Sequence, residues 1–568
     1  MVLRIRIISG LLLLVALVLI GRLYQVQVVH SATYLERAER QYVQVSPGHY
    51  HRGSIYFTTK DDRPVAAASV RAGSVVALNS RAIQDPSTVC GALVAHLLQT
   101  SLERCVELAS LDRAYVEVER LVDRDTVAAI RDLNLRGVLL VSSQWRYYPG
   151  DQLAAQALGF VGFTERSDHE LRGKYGLERF YDNLLFAEQE TRSVNIFAEI
   201  FSDLGSLVYR REKQGTGHIH TTIEPTVARL VDTVLAQVQD KYDSEFTAAI
   251  IMNPQTGAIY SLNVAPTFNL NDRSGIAISQ FQNPIVENVY EFGSTIKALT
   301  IAAGLDSGAI TRRSTYYDSG SITMNGFTIR NFDGRGRGTV DMQTVLNQSL
   351  NTGVSHIVDK MGKDRFREYF TNFRLGSETG VDLPFEVMGL VDNLRSPRDV
   401  EYATASFGQG IAITPIAAAR AFAALGNGGY MVTPHLVTRI EYDDGTSQDR
   451  VYPRGHQVIS EATSEEISRM LVNTVDEALV NGRFALPNHT IGAKTGTAQM
   501  ADPERGGYYE DKFLHSFFGY FPAYDPQFLI FLYTVDPKGV RYASETLTVP
   551  FMDIAKFLIN YYDIPPDR

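Results

Sequence analysis

The chain has 568 residues, 45% of them hydrophobic and 21% charged, with a formal net charge of −10. That length and mixture describe roughly two to four folded domains, not a disordered or repetitive chain. The acidic balance argues against a nucleic-acid binder, and two cysteines, Cys90 and Cys105, cannot build a disulfide scaffold or a four-cysteine zinc site.

At the N-terminus, Arg4 and Arg6 precede the uncharged run Ile7–Gly21, and Arg22 leads into Leu23–Val29. The run alone is shorter than the roughly 20 residues a spanning helix needs, but Leu23–Val29 extends it while Arg22 snorkels to the interface. Residues 7–29 are therefore read as an uncleaved signal-anchor. A cleaved signal peptide is the alternative, with Val29-His30-Ser31 as a weak and distant cleavage match. Residues 1–6 then stay in the cytoplasm and everything beyond the anchor is exported.

Residues 30–225 mix short strands with amphipathic helices. Ser69–Leu78 reads as a strand and Gly91–Leu98 as a helix. On one continuous helix Cys90 and Cys105 would lie about 22 Å apart, too far to bridge. Two buried free thiols are the expectation, with a single disulfide the alternative in an oxidising compartment.

The character of the chain changes near residue 225. Pro225–Lys241 has helical periodicity. Phe246–Met252 and Ala258–Val264 read as strands joined by the turn Asn253-Pro254-Gln255-Thr256-Gly257. Near the C-terminus Ser516–Phe521 and Phe528–Val535 read as a second hairpin, and Phe551–Tyr562 as a closing helix. Hairpins from both ends with helices between them predict an α+β domain, residues 226–568, built on one antiparallel sheet.

Three short motifs in this half carry chemistry. In Ser294-Thr295-Ile296-Lys297, at the start of an apolar helical run, the i and i+3 side chains share a face. A neutral or proton-sharing lysine could then take the serine proton during attack on an acyl carbon, with a helix-end N–H facing the oxyanion. In Ser349-Leu350-Asn351 the serine can relay protons and the asparagine can bond both the lysine and a substrate backbone; alone, the triplet reads as a helix cap. Ser261-Leu262-Asn263 repeats those letters inside a predicted strand and is assigned no role. In Lys494-Thr495-Gly496-Thr497, read as an edge strand, Gly496 would admit a substrate backbone. Thr497 N–H would complete the oxyanion hole, and Lys494 with the threonine hydroxyls would bind a carboxylate. Gly334-Arg335-Gly336-Arg337-Gly338 lacks the context of a P-loop and reads as a loop. Asp443-Asp444-Gly445 reads as a hairpin turn. No His-Glu-x-x-His zinc motif is present, so the expected chemistry uses neither metal nor cofactor.

The three motifs in this order are the signature of penicillin-binding proteins and class A β-lactamases, and the chain resembles the class B penicillin-binding proteins over nearly its whole length. Tyr290-Glu291-Phe292-Gly293 is similar to the family's approach to the serine, with Phe292 in place of a proline. Phe407-Gly408-Gln409-Gly410-Ile411 and His515-Ser516-Phe517-Phe518-Gly519-Tyr520 resemble two further family segments. Arg52-Gly53-Ser54-Ile55 and Tyr175-Gly176-Leu177-Glu178 resemble motifs of its non-catalytic pedestal. Two departures stand out: Thr58–Asp62 replaces the usual turn after Arg52-Gly53, and Leu350 stands where serine is common.

The resemblance implies a penicillin-binding transpeptidase domain with an antiparallel sheet, flanking helices and a helical subdomain. It would stand on an elongated α+β pedestal over residues 30–225, with one transmembrane helix. The implied activity is a peptidoglycan D,D-transpeptidase acting through an acyl-serine, with Ser294, Lys297, Ser349 and Asn351 catalytic and Lys494, Thr495, Gly496 and Thr497 binding substrate. The implied partners are stem peptides, penicillins and other β-lactams, the bacterial inner membrane and a membrane glycosyltransferase, with no nucleic acid. The catalytic domain would face the periplasm. The septal, division-type form fits best; an elongation-type enzyme, a β-lactam sensor or β-lactamase, a carboxypeptidase and a non-catalytic divisome scaffold are the rivals.

Overall fold

The computed structural model describes residues 52–164, 167–186 and 216–568, with Gly10, Val18, Leu19 and Arg22. The expected anchor therefore lies almost wholly outside the described residues. Among the described residues no helix is long and apolar enough to cross a membrane. The chain divides into two compact units, the smaller holding Val70–Trp145 and the larger Arg52–Ser69, Arg146–Phe186 and Gly215–Arg568.

In the smaller unit, the later part of strand Pro64–Leu78 pairs antiparallel with Val116–Val122. The predicted helix at Gly91–Leu98 is displaced: it runs Pro86–Val94, because Asp85 caps it through the N–H groups of Ser87 and Thr88. It stops there because the carboxylate of Glu119 takes the N–H groups of Leu98 and Gln99 and the hydroxyl of Thr100. A second helix, Leu102–Ala109, then starts on Ser101. The break corrects the expectation for the cysteines. Cys90 and Cys105 sit on two helices instead of one, their Cα atoms are 5.6 Å apart, and they form a disulfide inside a small core with Val76, Leu78, Leu93 and Ile130.

The larger unit is organised by a five-stranded antiparallel sheet of β1 (Phe246–Met252), β2 (Ile259–Ala265), β3 (Gly492–Ala501), β4 (Tyr508–Phe521) and β5 (Phe528–Val535), in the order β3-β4-β5-β1-β2. Hairpins from both ends of the domain thus meet at the β5–β1 pairing, where Phe531 faces Ile250. The β1–β2 turn forms because Asn253 accepts from the N–H groups of Gln255 and Thr256 while Gly257 takes a φ of +86°.

The helices that matter are α1 (Pro225–Tyr242), α2 (Lys297–Asp306), α3 (Asn351–Met361), α4 (Pro415–Gly426) and α5 (Thr548–Tyr561). Alternation along the strands supplies both faces. Ala249, Ile251, Phe517 and Ile530 bury against α1 and α5; Ala248, Ile250, Phe518 and Phe531 bury against α2 and α4. Ser261, Leu262 and Asn263 lie buried in β2, where Asn263 donates to Asp232 at 2.6 Å, so that triplet is structural.

The Arg52 and Glu178 segments singled out in the sequence meet in this unit. Glu178 accepts from Arg52 and Arg146 Nε at 2.6 Å each, and Arg52 also reaches Asp182 at 2.7 Å. Arg146 adds a bond to the carbonyl of Gly53 at 2.7 Å. Burial alone would raise the Glu178 carboxyl; the two guanidinium groups outweigh it and hold the group below its ordinary range.

Candidate active site

Ser294 stands in a 3-10 turn, Gly293–Ile296, that runs straight into α2. The turn lies against edge strand β3 so closely that three glycines are obligatory. A Cβ on Gly496 would come within 2.4 Å of both the Phe292 carbonyl and the Ser516 hydroxyl. One on Gly293 would meet the Thr497 carbonyl at 2.6 Å, and one on Gly408 the Gly293 carbonyl at 2.3 Å; both residues also have positive φ. β3 is an edge strand as expected, and Gly496 also makes room for the serine-bearing turn.

The approach to the serine is pinned from several sides. Ser516 Oγ donates to the Phe292 carbonyl at 2.9 Å, and Gly410 N–H donates to the half-buried Glu291 carboxylate at 2.9 Å. Gly293 N–H donates to the Gly408 carbonyl at 3.2 Å. Phe292, where the family resemblance anticipates proline, packs its ring on Phe531 and Tyr533. These contacts come from segments more than a hundred residues away, and no local pattern marks them beyond the glycines themselves.

Lys297 is 1% exposed. Its ammonium donates to the Ser349 carbonyl at 2.5 Å and to Ser349 Oγ at 3.1 Å. Among the described residues no carboxylate pairs with it and no hydrogen bond joins it to Ser294 Oγ. Desolvation, reinforced by the charge of Lys494, holds the amine well below the usual lysine range. Lys494, 4% exposed, is itself pushed down to about 8 by burial; its ammonium donates to the Thr495 carbonyl at 3.0 Å.

Ser349 adopts a φ of +54°, a left-handed conformation costly for serine and common where a site fixes a side chain. It is followed directly by the buried Leu350, which anchors the segment in the core, and by α3, which starts at Asn351. Asn351 Nδ2 donates to the Arg330 carbonyl at 2.8 Å and does not bond Lys297. Behind it the buried carboxylate of Asp318 accepts from Asn331 at 3.0 Å and from Thr352 at 2.8 Å, locking the first turn of α3 to the loop at 331. Sequence reasoning missed Asp318, a lone aspartate in a short strand.

Ser294, Ser349, Asn351, Lys494, Thr495 and Thr497 all line one cavity of about 750 Å³. On β3 the residues Thr495, Thr497 and Gln499 alternate toward it while Gly496 and Ala498 turn inward. Thr497 Oγ1 accepts from the N–H of Ala543 at 3.0 Å, tying the segment 541–544 to the same wall. The Ser294 hydroxyl has no hydrogen-bond partner among the described residues. The arrangement offers an open hydroxyl, a desolvated amine with a second hydroxyl on it, and a cationic edge strand, a set suited to acyl transfer.

A model of the penicillin-binding protein transpeptidase domain matches residues 247–556, and one of the penicillin-binding protein dimerisation domain matches residues 65–214. Stage V sporulation protein D of Bacillus subtilis is 29% identical over 95% of this chain and 82% of its own length. Peptidoglycan D,D-transpeptidase FtsI of Escherichia coli is 25% identical over 99% of this chain and 92% of its own. The fold is similar to the crystal structure of penicillin binding protein 2X from Streptococcus thermophilus, with a TM-score of 0.72 and 20% identity over 91% of this chain and 81% of that one.

Proposed function

The chain belongs to the penicillin-binding protein transpeptidase family, and from that premise we propose how its residues perform the reaction. It is a serine-type peptidoglycan D,D-transpeptidase that forms peptide cross-links through an acyl-serine intermediate. Ser294 attacks the carbonyl of the penultimate D-Ala of a donor stem peptide, and the amine of Lys297 takes its proton. The oxyanion is held by the N–H groups of Ser294 and Thr497. Ser349, already bonded to that amine, passes the proton to the departing D-Ala. Asn351 borders the peptide, and Lys494, Thr495 and Thr497 receive its carboxylate. An amine of a second stem peptide then attacks the ester, releases Ser294 and completes the cross-link. A β-lactam enters by the same first step and remains as an acyl-enzyme.

The observation that carries this reading is Lys297: a buried amine without a carboxylate partner among the described residues, bonded to Ser349, in the same domain wall as an open Ser294. A charged lysine so placed would cost several kcal/mol, whereas a neutral one is a base.

The domain organisation follows the same reading: a signal-anchor at residues 7–29, a pedestal over residues 30–225 and the transpeptidase over 226–568, facing the periplasm from the inner membrane. The uncharged run Ile7–Gly21 supports the anchor, and the Cys90–Cys105 disulfide fits an oxidising compartment. A septal role beside a membrane glycosyltransferase is our preferred assignment; a fluorescent fusion gathering along the side wall instead of at midcell would reassign it to elongation.

The decisive experiment is intact-mass measurement after incubation with penicillin, followed by peptide mapping. One slowly lost adduct on Ser294, absent from Ser294→Ala, is expected. A folded protein that takes up no adduct would overturn the enzyme assignment in favour of a scaffold.

A further inference from the structure

The cavity is cationic in a chain whose net charge is −10. Its lining includes Arg330, Arg337, Lys494 and Arg541 and no aspartate or glutamate. Of these, Lys494 is buried in the strand wall, and Arg337 is neutralised by a two-pronged pair with Asp333, at 2.8 and 2.9 Å. Arg330 and Arg541 differ from both. They are exposed, and among the described residues neither guanidinium has an ion pair or hydrogen bond.

The carboxylates close to them in sequence are already taken. Asp333 is held by Arg337, Asp318 by Asn331, Thr352 and the N–H of Arg337, and Glu545 by the N–H of Tyr542. The two arginines stand on different walls. The Arg330 carbonyl accepts from Asn351, on the α3 side. Arg541 opens the segment whose Ala543 N–H bonds Thr497, on the β3 side. Beside them Phe332 and Tyr542 meet edge to face, with ring centroids 6.0 Å apart, joining the two rims.

We propose that Arg330 and Arg541 form a second anion-reading position of this cavity, selecting acyl donors that carry a carboxylate beyond the one received by Lys494, Thr495 and Thr497. The inference rests on the acyl-serine function proposed above. Arg541 lies over the ring of its neighbour Tyr542, 5.7 Å from the centroid, but neither guanidinium has an anionic partner among the described residues, and their fork geometry suits a carboxylate. The ligand class is a peptide or β-lactam with two carboxylates separated by the span from the edge strand to the rim.

Benzylpenicillin and carbenicillin isolate the effect, since the second carries one additional side-chain carboxylate. Second-order acylation rates would be measured for both compounds with the parent protein, the double variant Arg330→Ala/Arg541→Ala and the double variant Arg330→Lys/Arg541→Lys. The carbenicillin-to-benzylpenicillin ratio is expected to fall about tenfold in the alanine variant, to recover in large part in the lysine variant, and to shrink with added salt in the parent. A ratio that stays within about twofold of the parent value, or equal losses for both compounds, overturns the proposal. Benzylpenicillin acylation of the variants shows that they are folded. Failure of the parent to react with either compound would instead remove the acyl-serine function on which the inference stands.

Discussion

The amine of Lys297 is hydrogen-bonded to both the carbonyl and the hydroxyl of Ser349, 52 residues further along the chain. This contact joins two of the three motifs and leaves the hydroxyl of Ser294 open to the cavity.

The pH profile of acylation follows from it. Lys297 must be neutral to accept a proton, and burial with the nearby charge of Lys494 lowers its affinity for one. Activity should therefore rise with pH along an acid limb well below the usual lysine range. Replacing Lys494 by glutamine removes a positive neighbour, so Lys297 holds its proton more tightly. The limb should move to higher pH, whatever the loss in absolute rate. Stopped-flow acylation from acid to alkaline pH would read it, and a limb that moved downward would contradict the electrostatic account.

Gly496→Ala tests the packing of the serine-bearing turn. The added methyl would sit 2.4 Å from the Phe292 carbonyl and from Ser516 Oγ, so the turn must shift. A displacement of about 1 Å at a nucleophile can cost on the order of a hundredfold in rate. Acylation should drop by that order while thermal unfolding shows a folded protein; a rate close to the parent would mean that the turn adjusts freely.

Removing the Glu178 carboxylate should be severe. Glu178→Gln leaves Arg52 and Arg146 buried beside a neutral amide, a change of about 3–5 kcal/mol. Arg104→Ala, which breaks an exposed pair with Glu107, should cost no more than about 0.5 kcal/mol. Urea titration of both variants gives the comparison. Because the folded protein holds Glu178 below its ordinary pKa, its contribution is complete at neutral pH and is lost as pH falls through that depressed value.

The disulfide gives a fourth test. Cys90 and Cys105 are 15 residues apart, and a loop of that size implies about 3 kcal/mol of stabilisation. The double variant Cys90→Ser/Cys105→Ser should lower the denaturant midpoint of the smaller unit accordingly, as followed by hydrogen exchange of helix Leu102–Ala109. Unchanged protection would assign the stability of this unit to its apolar core.

Much of the larger unit was legible because its signals are local. Phe246–Met252 and Phe528–Val535 are strands over the predicted residues, since apolar runs between turn residues announce themselves. The three motifs do converge on one cavity, because each needs only a few neighbouring residues. What escaped depends on distant partners. The cysteine pairing turned on Glu119 halting one helix. The close passage of Gly496 past the serine-bearing turn involves a carbonyl some two hundred residues earlier. No window of sequence contains both ends of such contacts.

The clamp around Glu291, Phe292 and Gly293 has a practical consequence. Its carbonyl, hydroxyl and glycine partners come from residues 408, 410, 496 and 516, so the nucleophile cannot reach its working position until strands from the far end of the chain have paired. A covalent β-lactam label on Ser294 therefore counts completed molecules: titrating a preparation with it reports the fraction that has finished folding, and pulsed during refolding it becomes a clock for the last step of assembly.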